Sequence, residues 1–197
     1  MRCLRLLAPL SLLLACAPAE GPEAFSLRIA TAGELARFHP RTTGTFTTAA
    51  ADLVYQPVLR AGLRGELRPG AVRSWDRLAA DRIRVQIDPD LRFSDGSPVR
   101  TEDFITSLAP SGLEARPNGD WLDIGPGSSR NPLEVTLLNA TVFKEAAPVP
   151  LGTGPYRYLE GDARHLVLER VRPEPGHVAR VEVRAAPSPR DAFAWAL

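Results

Sequence analysis

The spacing of hydrophobic and polar positions along this chain changes several times, and each change predicts an element. Arg82-Ile83-Arg84-Val85-Gln86-Ile87 alternates without a break, which puts Ile83, Val85 and Ile87 on one face and predicts a half-buried antiparallel strand. Phe25 to Ala30 reads as a first strand. Thr47 to Tyr55 reads as a helix with threonines at its start, closed by Gln56-Pro57 because proline cannot continue a helix. Val58 to Ala61 and Glu66 to Pro69 predict the two short strands of a hairpin, with Gly62 and Gly65 as turn residues. Ser94-Asp95-Gly96-Ser97-Pro98 predicts a tight reversal. A helix from Glu102 to Leu108 follows, capped by Thr101, with Glu102 and Asp103 at the positive end of its dipole.

Residues 110–130 hold seven Pro or Gly, which argues against a long regular element and predicts a surface loop. Leu133 to Leu138, Tyr156 to Leu159, His165 to Val171 and Val178 to Arg184 then read as strands. Ser188-Pro189-Arg190-Asp191 starts a last helix, with serine as cap and proline at the first position. Phe193 and Leu197 would share one face of that helix, so the chain is expected to stop inside an apolar helix that wants a partner. No repeat at solenoid spacing is present. Strand, helix, then mostly strands predicts an α/β fold of the β-rich α+β kind, with a mixed sheet and few short helices.

Composition narrows the function more than the fold. At 197 residues the chain fits one ordinary domain. Its 24 basic residues against 23 acidic ones alternate along the chain and form no block, so nucleic acid is not an expected partner. Only Lys144 is a lysine, a bias that reads as genome composition and not as phosphate binding.

The N-terminus carries the clearest short signal. Arg2 and Arg5 precede an apolar run from Leu6 to Leu14 that is too short to span a bilayer, which reads as an export signal over residues 1–15. Leu13-Leu14-Ala15-Cys16 resembles the lipobox of bacterial lipoproteins, in which the cysteine thiol is lipidated. Cleavage after Ala17-Pro18-Ala19, an A-x-A site, is the alternative. Residues 16–24 would then be a tether between lipid and fold. Removal of residues 1–15 takes away two arginines and leaves a balance of 22 minus 23, or −1, so attachment would rest on acyl chains and not on a basic surface. Cys3 leaves with the signal, which leaves no cysteine pair for a disulfide or a thiolate metal site.

Enzyme signatures are missing from the sequence: there is no G-x-S-x-G, no H-E-x-x-H and no phosphate-cradling loop ending in Lys-Ser/Thr. His39, His165 and His177 are widely spaced and read as surface or satisfied histidines. Neither a cofactor nor a metal is expected.

Three stretches, in order, carry a resemblance. The first is Asp52-Leu53-Val54-Tyr55-Gln56-Pro57-Val58-Leu59 followed by Gly65-Glu66-Leu67-Arg68-Pro69-Gly70-Ala71-Val72-Arg73-Ser74-Trp75. The second is Leu91-Arg92-Phe93-Ser94-Asp95-Gly96-Ser97-Pro98 leading into Val99-Arg100-Thr101-Glu102-Asp103-Phe104, and the third is Gly152-Thr153-Gly154-Pro155-Tyr156 with Leu166-Val167-Leu168-Glu169-Arg170. Together they resemble family 5 of the extracytoplasmic solute-binding proteins, the oligopeptide-, dipeptide- and nickel-binding subunits of ABC importers. The resemblance implies a lobe of the type II periplasmic-binding-protein kind over residues 25–197, with 61–149 as an inserted β-rich subdomain and the second lobe absent. It implies peptide or a related small solute as ligand, ABC permease subunits as partners, and a lipid-anchored place on the extracytoplasmic face of the cell envelope. Glu34, Ala36 and Arg37, in the loop after the first strand, would edge the ligand cleft, with His39 standing where the family has aspartate. A carboxylate and a guanidinium there would pair with peptide termini. Family members are more than twice this length, so a remnant that acts as an envelope interaction module without ligand is the alternative.

Overall fold

The computed structural model describes residues 25–32, 35, 38–41 and 45–196. Cys16 and the whole of the predicted signal and tether lie outside them.

The first strand, β1 (Phe25–Ala32), is followed by α1 (Thr45–Val54), whose last turn meets Gln56-Pro57 as expected. The predicted hairpin forms from β2 (Leu59–Ala61) and β3 (Leu67–Pro69), turning through Gly65 at φ +79°. Next comes β4 (Val72–Ala79), which the irregular pattern of its side chains had hidden, antiparallel to β5 (Arg82–Ile87). On β5, Ile83 and Val85 are buried and Ile87 is half-buried. Gly96 at φ +85° makes the reversal that leads to α2 (Thr101–Leu108). The cap position of α2 is Arg100, not Thr101: the Asp103 carboxylate accepts the Arg100 backbone N–H at 2.8 Å, so the acid caps the helix and Thr101 is its first helical residue.

Residues 110–130 are not a loop. They contain β6 (Leu113–Asn118) and β7 (Trp121–Pro126), a hairpin that turns tightly at Gly119, φ +61°. Its glycines and prolines sit at the ends and turn, while Leu122 and Ile124 point into the core between them. A second correction concerns Leu133 to Leu138, which is helical: α3 (Leu133–Asn139) buries Leu133, Thr136 and Leu137, a helix spacing that the apolar run had obscured. The chain returns through β8 (Phe143–Lys144) and β9 (Leu151–Gly152). Three longer strands follow as predicted, β10 (Tyr156–Gly161), β11 (His165–Arg170) and β12 (Val178–Ala186), and then α4 (Pro189–Ala196). Ser188 caps α4, its Oγ accepting the Asp191 N–H at 3.2 Å and donating to the Asp191 carboxylate at 2.6 Å.

Two four-stranded sheets result. One is mixed, in the order β1-β12-β11-β10, with β1 parallel to β12 and the other pairs antiparallel. The other is antiparallel, in the order β4-β5-β7-β6. Each faces its own apolar cluster. Val54, Tyr55, Phe143, Leu168, Val181 and Val183 belong to the first, while Phe93, Phe104, Leu108, Leu122, Ile124 and Leu137 belong to the second.

The two clusters are stitched along a seam. The chain passes between them at 56–58 and returns at 140–142 beside its own outward path, with Val58 N–H to Ala140 O at 2.9 Å and Val142 N–H to Gln56 O at 3.1 Å. Ser94 N–H donates to Gly152 O at 2.9 Å, which places the Asp95 turn against the Gly152 strand. Gly152 and Gly154 are glycines because α1 ends on them: a Cβ would lie 2.0 Å from Val54 O at the first and 2.4 Å from Leu53 O at the second.

Candidate functional site

The end of the mixed sheet at which β1 and β12 finish is where chemistry collects. After β1 the chain is pinned twice: Leu35 N–H donates to Ala163 O at 2.8 Å, and Phe38 is buried with its ring 5.8 Å from Tyr55 and 5.7 Å from Tyr158. Leu35 is buried as well, so Leu35 and Phe38 are the anchored residues after β1. The expected ligand-contacting residues Glu34, Ala36 and Arg37 themselves lie outside the described residues.

Beside Leu35 stands the turn between β10 and β11. Asp162 builds it, its carboxylate accepting the N–H groups of Arg164 at 2.7 Å and His165 at 2.8 Å. Those two donors hold the Asp162 carboxyl below its ordinary 3.8. Arg164 O in turn accepts the Ala185 N–H at 2.8 Å, which ties the turn to the end of β12. A groove of about 900 Å³ opens next to this turn, between α4 and the sheet. Its walls carry Asp162, Arg164, His165, Glu182, Arg184 and Trp195. The guanidinium carbons of Arg28 and Arg184 lie 5.9 and 5.8 Å from the centre of the Trp195 ring.

Carboxylates and guanidiniums thus share one open groove with an indole. Such a surface can pair with both ends of a zwitterionic solute and stack on a flat group. Among the described residues no group of three or more His, Cys, Asp or Glu is placed to hold a metal ion. His165 lies in the groove wall, whereas His177 Nδ1 is 3.5 Å from a Glu174 carboxylate oxygen and His39 Nδ1 accepts the Arg41 N–H at 3.2 Å. Asp162, Arg164, Arg184 and Trp195 were missed by sequence reasoning. The Gly161-Asp162 turn signal and the alternation of Arg180, Glu182 and Arg184 opposite buried Val181 and Val183 were the available clues.

Smaller grooves lie elsewhere among the described residues. One of about 640 Å³ runs along the seam past Phe93, Asp95, Thr153 and Arg172, and one of about 310 Å³ lies between α1 and the second cluster, beside Asp52, Tyr55 and Ser107. The Tyr55 hydroxyl donates to Pro150 O at 3.0 Å, and burial pushes its pKa up. The smaller of the two also adjoins the stretch after β1, with Pro40 and Arg41 in its wall. Among the described residues no helix is long and apolar enough to cross a membrane.

No protein-family model matches the chain, and no curated protein matches it in sequence. Solved structures do match its fold. NikZ from Campylobacter jejuni in complex with Ni(L-His) aligns at TM-score 0.70 and 17% identity, over 87% of this chain and 41% of its own. The oligopeptide-binding protein AppA from Bacillus subtilis, in complex with a nonapeptide, aligns at TM-score 0.71 and 14% identity, over 88% of this chain and 42% of its own. MppA, a periplasmic murein tripeptide binding protein in an unliganded open form, aligns at TM-score 0.70 and 14% identity, over 87% and 43%. The chain therefore spans less than half the length of the proteins it matches. Its fold is the expected strand-rich α/β architecture, that of part of these binding proteins.

Proposed function

We propose that this chain is a solute-binding component of an ABC importer on the extracytoplasmic face of a bacterial envelope, lipid-anchored through Cys16, and that it takes up peptides or related small solutes. The observation that carries the reading is the fold shared with peptide- and nickel-complex-binding proteins, joined to a groove of both charge signs beside the pinned loop after β1. Glu34, Ala36 and Arg37 belong to that loop and stay in the proposal as solute contacts, with Arg164 and Arg184 added. Residues 61–149 are proposed as an inserted subdomain of the 25–197 unit; their separate apolar cluster and the side-by-side crossings at 56–58 and 140–142 support this. Nothing in the proposal is catalytic.

Calorimetry against a peptide panel and against nickel–histidine tests the binding. Measurable heat with at least one class is the expected result, weakened about tenfold or more by Arg164→Ala, since a charge-assisted bond to a carboxylate is worth roughly 1.5–3 kcal/mol. Silence across the panel overturns the reading. Lipidation is tested separately: the protein should incorporate radiolabelled palmitate in a bacterial host, and Cys16→Ser should abolish incorporation.

A second reading is an envelope interaction module that binds no solute. It expects envelope partners to be captured equally with and without peptide.

A further inference from the structure

The groove of about 640 Å³ along the seam is walled from both sides. Arg92 and the acids Asp88, Asp90 and Asp95 come from the segment that leads to α2, Thr153, Arg170, Arg172 and Glu174 come from the mixed sheet and its flanking turns, and Arg60 comes from β2. The bond from Ser94 N–H to Gly152 O holds the two walls together. Charge in this groove is balanced by count and not by pairing. Three of the four acids already accept hydrogen bonds: Asp88 from the Asp90 N–H at 2.9 Å, Asp95 from the Ser97 N–H at 2.8 Å and hydroxyl at 2.6 Å, and Glu174 from Arg170 at 3.0 Å. Of the four arginines, only Arg170 meets a carboxylate among the described residues. Arg92 Nη1 donates to Pro89 O at 2.8 Å and Leu91 O at 3.0 Å, which fixes the guanidinium and leaves its charge unmatched. The guanidiniums of Arg60 and Arg172 donate to no described residue. Elsewhere on the two sheets arginine is matched, as Arg77 is by Glu134, Arg84 by Asp76 and Arg157 by Glu169. A second observation lies in the same wall. Thr153 is 9% exposed, and its Oγ1 has no hydrogen-bond partner among the described residues. A hydroxyl shut away from water in that state is destabilising, and an acceptor brought beside it relieves the loss.

We infer that the seam groove is a binding site for a small solute that carries oxyanions, carboxylate or phosphate, with Arg60, Arg92 and Arg172 matching its charge and the Thr153 hydroxyl donating to it. Unmatched guanidiniums and an orphan donor call for acceptors, and the planar fork of arginine suits the paired oxygens of either group. The volume admits a molecule of tricarboxylate size. This site is separate from the groove beside β12. A ligand in it touches walls from both sides of the seam and so stabilises the folded chain.

Titration calorimetry of the full chain with citrate and, separately, with inorganic phosphate is the test, at an ionic strength held constant with sodium chloride so that general screening contributes equally. The expected result is saturable heat with one or both anions below about 10 mM, together with slower hydrogen–deuterium exchange at 91–96 and 170–174. Heat with citrate alone would assign the site to carboxylates, and heat with phosphate alone to phosphates. Arg172→Gln and Arg60→Gln, both at exposed positions, should each weaken binding about tenfold, while Arg116→Gln on β6 should leave it unchanged. Thr153→Val separates binding from folding: it should weaken the anion yet keep or raise the melting temperature of the free protein, because the orphan hydroxyl is gone. Absence of saturable heat with both anions overturns the inference. So does binding that survives Arg172→Gln, Arg60→Gln and Thr153→Val undiminished, or protection confined to 182–186.

Discussion

Single atoms decide several features of this protein. At Gly152 the carbonyl oxygen of Val54 occupies the place a Cβ would take. Backbone cannot move aside as a flexible side chain can, so Gly152→Ala should cost about 1–3 kcal/mol or more in urea denaturation, at the upper end of overpacking effects. Ser107 makes a different kind of demand. Its buried hydroxyl donates to Phe143 O at 2.7 Å and accepts the Phe143 N–H at 3.0 Å. Ser107→Ala leaves both groups unpaired in the interior and should cost roughly 1–3 kcal/mol by the same measurement. Asp162 gives the acid limb of stability a sign. Its carboxyl is held below 3.8 by two backbone donors in the folded protein. It therefore stabilises the fold above its unfolded value, and that contribution disappears as pH falls through the folded value. Asp162→Asn should flatten the loss of stability below about pH 4 in acid titrations followed by circular dichroism.

Local chemistry explains the helices and hairpins unevenly. Ser188-Pro189-Arg190-Asp191 specifies the start of α4, because serine and aspartate satisfy each other and an orphan N–H of the first turn. Ser188→Ala should lower the stability of α4 by about 0.5–2 kcal/mol, visible as faster amide exchange in residues 190–195. The β6–β7 hairpin was open to the same reasoning and was still overlooked. Asn118-Gly119-Asp120 is a hairpin turn signal, and Gly119 adopts φ +61° with nothing within 4 Å of a Cβ placed there. The many glycines and prolines of 110–130 outweighed it because their positions, at strand ends and turns, show only once strands are paired. The apolar run 133–138 is compatible with strand or helix. Burial of Leu133, Thr136 and Leu137 against β2 and its neighbours chose the helix.

At the scale of the whole molecule, two apolar clusters share one seam. The seam rests on backbone bonds at 56–58, 140–142 and 152–154, on Ser107 and on the contact of Ser94 with Gly152. Leu137 is fully buried in one cluster and Leu168 in the other. Leu137→Ala and Leu168→Ala should each cost about 2–5 kcal/mol. Because the seam couples the clusters, each substitution should lower a single cooperative transition; a second transition in calorimetry after Leu137→Ala would show instead that the inserted region unfolds alone.

The order of most strands and helices, the capped start of α4 and the Asp95-Gly96 reversal were legible from the sequence, because each depends on residues within a few positions. The three resembling stretches also led to the architecture that the solved structures share. What only the tertiary structure decided was the parallel pairing of β1 with β12, the packing that made 133–139 helical, and the meeting of the 162–165 turn with Leu35. Pairing and burial there join residues far apart in the chain. A local pattern fixes which faces are apolar, and only packing determines what those faces meet.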